Sequence, residues 1–131
     1  MKRPVQLVED ILRKSIFPFD DIFLDAIPQE ELKNTNKTQV LLTEATNSPS
    51  EYGNSMFTSF DYGVYVQIFY TNSLDVNIDT TEKEIELMEH FINNEWLISQ
   101  SQAHYLDPET GQMIKNLIVQ RTMTLREVAN S

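Results

Sequence analysis

The stretch SFDYGVYVQIFYT, residues 59–71, decides how the chain folds. Phe60, Tyr62, Val64, Val66, Ile68 and Tyr70 alternate with Asp61, Gly63, Tyr65, Gln67 and Phe69. Side chains of a strand point alternately to opposite faces, so six apolar or aromatic residues at period two specify one core face. The other face is mixed, and its Tyr65 and Phe69 are suited to packing on a neighbour.

Upstream, TQVLLTEA (38–45) reads as a second strand and DIFLDAI (21–27) as a third, ended by Pro28, which cannot donate to a ladder. Between the first two, NSPSEYGNSM (47–56) holds turn formers and no apolar period, which predicts a mobile loop. QEELKNTNK is a polar connection. Residues 4–16 predict an amphipathic helix. Val5, Val8, Ile11, Leu12 and Ser15 share a stripe, Pro4 suits the first turn and Pro18 stops the helix.

Downstream, Asn72–Asn77 predicts a turn and residues 80–94 a second helix. Thr81 with Glu84 matches a capping box. Ile85, Met88 and Ile92 form its apolar stripe with Leu87 and Phe91 beside it, and Glu82, Glu86 and Glu89 form an acidic one. Residues 96–106 and 112–126 flank DPETG and predict a long C-terminal β-hairpin, with Gly111 available for positive φ. Its returning strand carries Met113, Leu117, Val119, Met123 and Leu125 on one face, and the tail VANS is expected to fray. Together these elements predict one α+β domain over residues 1–131. It has an antiparallel or mixed β-sheet with two helices packed on one face.

Composition narrows the function. Hydrophobic residues at 40% and charged residues at 23% are those of a globular, soluble domain. With no cysteine, disulfides, thiol nucleophiles and thiolate metal sites are excluded. The start MKRPVQLVED has no apolar core of a signal peptide, and no apolar run approaches the ~20 residues of a membrane helix. The net charge of −10, with ten Lys and Arg scattered along the chain, disfavours sequence-specific nucleic-acid binding and anionic membranes.

Catalytic patterns are missing. His90 and His104 have no motif around them, and no H-E-x-x-H occurs. The carboxylate pairs Asp20–Asp21, Glu30–Glu31 and Asp75 with Asp79 read as surface charge. The spacing D-V-N-I-D-T-T-E (75–82) lacks the mid-loop glycine of a calcium loop and reads as a solvated helix start. Gly53, Gly63 and Gly111 are isolated, so no phosphate loop forms. Phe57, Phe60, Tyr62, Tyr65, Phe69 and Tyr70 resemble a base-stacking platform, yet no Lys or Arg lies between 38 and 82 to track a backbone. Core and subunit-contact roles are expected instead. No cofactor and no enzymatic activity are expected.

In order and length, most of the chain resembles the tail-completion or tail-terminator proteins of long-tailed phages of Gram-positive bacteria. The likeness runs through PVQLVEDIL, IFLDAIP, the block from TQVLLTEA to YVQIFY, EKEIELMEHFI and HYLDPETGQMIKNLIVQRT. Its most characteristic piece is N-S-x-F-x-x-F-D-Y-G-V-Y-V-Q-I-F-Y at 54–70. The resemblance implies an α+β subunit that forms a six-membered ring on the finished tail tube. Such a ring meets the tail-tube protein on one side and the head connector on the other, in the head-proximal tail of a virion made in the host cytoplasm. On this reading Tyr52, Asn54, Met56, Phe57, Tyr65, Phe69, Asp107 and Glu109 are the candidate subunit or docking contacts, and Glu82, Glu86 and Glu89 the candidate acidic lumen. A head–tail adaptor, a tail-tube protein and a small acidic inhibitor module are the alternatives.

Overall fold

The computed structural model describes residues 1–32, 34–72 and 80–131. Most of the expected 72–77 turn, the Asp75–Asp79 pair and most of the calcium-like spacing lie outside the described residues. The elements in chain order are α1 (Pro4–Arg13), β1 (Asp21–Leu24), β2 (Gln39–Gly53), β3 (Met56–Phe69), α2 (Thr80–Asn93), β4 (Leu97–Ser101), β5 (Tyr105–Leu106), β6 (Met113–Thr124) and α3 (Leu125–Ala129). One sheet runs in the order β1-β2-β3-β6-β4, with β5 also paired to β6. Only β1 on β2 is parallel, so the sheet is mixed and the fold is α+β as expected.

The core lies where the 59–71 pattern puts it. Val64, Val66 and Ile68 are buried beside Val40 and Leu42 of β2 and Leu117 and Val119 of β6. Onto this face α1 lays Val5, Val8 and Leu12, and α2 lays Leu87 and Phe91. Each such large side chain contributes about 1.5–3 kcal/mol on burial. Trp96 joins them through the end of α2. Glu95 sits in the left-handed region at φ 71°, the Trp96 amide donates to the Phe91 carbonyl at 2.9 Å, and the Glu95 amide donates to Ile92 at 3.0 Å. This is a Schellman stop with glutamate where glycine is usual, and it turns Trp96 into the core.

Several boundaries differ from the sequence reading. The stretch 47–56 is not a loop. β2 continues through it to Gly53, and a two-residue turn at Asn54 and Ser55 (φ 51° and 66°) sends the chain back as β3. Positive φ at both central positions is the hairpin turn that matches strand twist. Helix α1 ends at Arg13 rather than 16, and β1 ends at Leu24 because Asp25 takes φ 70°. Helix α2 is turned relative to the expected stripe: Glu84, Leu87 and Phe91 face inward, Met88 is half-buried, and Ile85 and Ile92 are exposed. Two apolar lines compete, and Leu87 with Phe91 is the one that packs into the core cluster that also holds Trp96. Glu84 therefore does not cap.

The C-terminal hairpin is present but interrupted, since β4 and β5 pair with β6 on either side of residues 102–104. On β6, Leu117, Val119 and Met123 are buried as expected, whereas Met113 is exposed and Leu125 opens α3. The tail does not fray: the Glu127 amide donates to Thr124 Oγ1, Glu127 Oε1 accepts from the Thr124 amide, both at 3.2 Å, and Val128 is buried.

Candidate functional site

The longest exposed feature is the far half of the β2–β3 hairpin. β1 covers β2 only as far as Leu42, and β6 covers β3 only from Ser59 onward. From Thr43 to Gly53 the outer edge of β2 therefore meets no strand among the described residues. A two-stranded ribbon is marginal in water unless something stiffens it. Here an aromatic ladder does so, with ring centroids 6.4 Å apart for Tyr52–Phe57, 5.4 Å for Phe57–Phe60 and 6.0 Å for Phe60–Tyr62. Tyr62 is buried and roots the ladder in the body. Such ring pairs are worth about 0.5–1.5 kcal/mol each beyond their burial. Ser59 Oγ donates to Glu51 Oε2 at 2.7 Å, and Thr58 Oγ1 donates to the Glu51 carbonyl at 2.5 Å. At the tip, Tyr52 is 67% exposed and Met56 65%.

Four of the eight candidate contacts, Tyr52, Asn54, Met56 and Phe57, thus come together at this tip. The other four do not join them. Tyr65 and Phe69 lie half-buried on the sheet face opposite the helices, paired with Ile118 and Ile114 of β6. Asp107 and Glu109 sit in the turn before β6, at the other end of β3, roughly 40 Å from the tip by strand rise. Asp107 Oδ1 accepts from the Glu109 amide at 2.9 Å, and its carbonyl accepts from the Gly111 amide at 2.8 Å. Asp107 is thereby a turn former, and Gly111 supplies φ 74°. The candidate set is three surfaces rather than one.

The acidic trio stays together on the outer side of α2. Glu82 and Glu89 are exposed and Glu86 is half-buried, 3.5 Å from Lys83 Nζ. Glu86 and Glu89 border a hollow of about 260 Å³ between the end of α1 and α2, lined also by Lys14, Ile16, Leu87 and His90. His90 Nε2 lies 2.9 Å from the Ile11 carbonyl and ties the two helices. A second hollow of about 240 Å³ is edged by Thr46, Asp61, Leu97, Gln120 and Arg121. A Cβ on Gly63 would meet Thr46 Cβ and Oγ1 at 3.1 Å, so the bulge at Ala45 needs glycine opposite it.

One cluster has no counterpart in the sequence reading. Glu84, 3% exposed, accepts from the Tyr70 hydroxyl at 2.5 Å, and its Oε2 lies 2.8 Å from His104 Nε2. Burial, then the Glu84 hydrogen bond, pushes the Tyr70 hydroxyl far above its ordinary range. Nearby, the buried Lys115 Nζ donates to Ser101 Oγ at 2.9 Å and to the Gln102 carbonyl. These bonds hold the interrupted 102–104 segment to α2 and the sheet. The capping-box spacing of Thr81 and Glu84 concealed this, since a buried carboxylate leaves the same pattern in sequence. Among the described residues no three His, Asp or Glu side chains converge to hold a metal ion. Among the described residues no helix is long and apolar enough to cross a membrane.

The chain belongs to the family described as Protein of unknown function (DUF806), whose model matches residues 2–124. No curated protein matches it.

Proposed function

We propose that this chain is a structural subunit of phage assembly, a tail terminator that caps the tail tube as a six-membered ring and joins it to the head connector. The observation that carries this reading is the β2–β3 arm. Its tip opens the 54–70 block, the most characteristic piece of the resemblance to tail terminators, and it holds exposed aromatic and methionine side chains on a stiffened hairpin. Large, low-entropy side chains of this kind are the ones that anchor protein interfaces. A ring subunit needs heterologous contacts that close by rotation, and a protruding arm supplies one half of such a contact. Glu82, Glu86 and Glu89 fit a lumen that lets DNA pass without adhesion, because carboxylates repel phosphates.

Electron microscopy of lysates from a phage carrying a nonsense mutation in this gene tests the reading. Overlong tails beside unattached full heads are expected. Tails of normal length left unjoined would move the role to a head-side adaptor. Normal infectious particles would refute a structural role.

A further inference from the structure

Charge is unevenly spread over this acidic chain. Residues 45–60 contain one charged side chain, Glu51, which accepts from Ser59 inside the arm. Residues 96–106 contain no Asp, Glu, Lys or Arg at all. The first stretch is the arm. The second carries β4, whose outer edge pairs with no strand among the described residues and whose side chains are almost all exposed. Edge strands are normally guarded by charge, proline or irregularity. The edge of β2 is guarded, by Pro49, by the bulge at Ala45 and by Glu51 at φ 53°. On β4 there is a single register shift at Ser99, with neither charge nor proline.

Helix α2 leaves an apolar flank on the same side. His90 marks the side of α2 that meets α1. Ile85 and Ile92 lie about 140–160° round the helix from it, by 100° per residue. They are 48% and 51% exposed, on the flank beyond Phe91 where α2 runs over β4. Sheet and helix layers are thus both open at one side of the molecule, where the exposed Glu89, one turn from both isoleucines, borders the helix flank.

Within one copy the arm tip cannot reach this side. Two strands and seven residues of rise separate Met56 from Leu97, roughly 25 Å. We propose that the tip of one copy, Tyr52, Met56 and Phe57, docks against the β4 edge and the Ile85–Ile92 flank of a second copy. The assignment rests on the ring reading above and names its interface. Charge selects the occupant. Two copies at −10 repel each other generally, and the arm tip and the β4 strand carry no Asp, Glu, Lys or Arg of their own. The contact joins two different surfaces, so it is head-to-tail and repeats from copy to copy. Pro49 and the bulge keep it a side-chain contact rather than an added strand.

The absence of cysteine makes the test direct. The full chain carrying Met56→Cys and Ile92→Cys is concentrated, oxidised with copper phenanthroline and run on a non-reducing gel. A ladder rising from dimer to a closed oligomer is expected, with each single variant staying monomeric because its cysteine meets no thiol at the contact. Adding Ile85→Lys, at an exposed position, should abolish the ladder and leave the circular dichroism unchanged. A control pair, Met56→Cys with Glu109→Cys, should give no ladder. An absent ladder from the first pair, or an equal ladder from the control, overturns the proposed pairing. The nonsense-mutant tails judge the ring reading separately, so a ring built through other surfaces and no ring at all give different results.

Discussion

The two hairpins of this molecule end alike and are used differently. The C-terminal one, β4 and β5 against β6, is bonded to the body: Glu84 takes His104, Lys115 takes Ser101 and Gln102, and Asn116 Nδ2 donates to the Tyr105 hydroxyl at 3.2 Å. The β2–β3 arm turns its polar groups on itself, Ser59 and Thr58 both bonding Glu51. It leaves Tyr52 and Met56 outside. Where a hairpin spends its hydrogen bonds therefore separates framework from tool. The bonded hairpin should unfold with the body, and the arm should tolerate change that the framework does not.

The largest effect belongs to the body. Phe91 is fully buried beside the Trp96 stop, and Phe91→Ala should cost about 3–5 kcal/mol in urea unfolding. Next comes the bonded hairpin. Glu84→Ala leaves the buried Tyr70 hydroxyl without its acceptor and frees His104, for about 1–3 kcal/mol. Hydrogen exchange should then quicken across 97–106 while the arm amides stay as they were. If exchange quickened equally in both hairpins, the contrast drawn between them would be wrong.

The smallest effect is electrostatic. Bidentate bonds from Arg3, at 2.7 Å each, hold the Asp25 carboxyl below its ordinary value, and the Thr124 amide does the same for Glu127. A pKa lowered by folding stabilises above the unfolded value, about 4, and that stability is lost as pH falls through the folded values. Stability should therefore decline on acidification below about pH 4. Asp25→Asn should make that decline shallower, and only slightly, because the pair is solvent-exposed. A steeper decline in the variant would contradict the assignment.

Sequence periodicity made the core face of β3 legible because alternation over six positions admits one register. It also gave both long helices and the C-terminal hairpin with its Gly111 turn. It missed the arm for a physical reason. Ser48, Pro49, Ser50, Gly53, Asn54 and Ser55 are turn formers, and an edge strand in water needs no apolar period to exist. The signal was Asn54–Ser55 directly after Gly53, a pair tolerant of positive φ. Helix α2 was misjudged in rotation because Ile85–Ile92 and Leu87–Phe91 are both apolar lines, and only tertiary packing chooses between them. The tip contacts Tyr52, Asn54, Met56 and Phe57 were named from the resemblance and are neighbours in space. Asp107, named with them, serves its own turn.

The central claim is that the arm is a docking tool and not a support for the fold. Complementation of the nonsense-mutant phage with the chain carrying Tyr52→Ala and Met56→Ala tests it most directly, alongside urea unfolding of the same purified variant. The account predicts a stability within about 0.5 kcal/mol of the parent, as for exposed sites, together with loss of most infectious particles and overlong tails left unjoined to heads. A variant that is equally stable and restores full infectivity would contradict it.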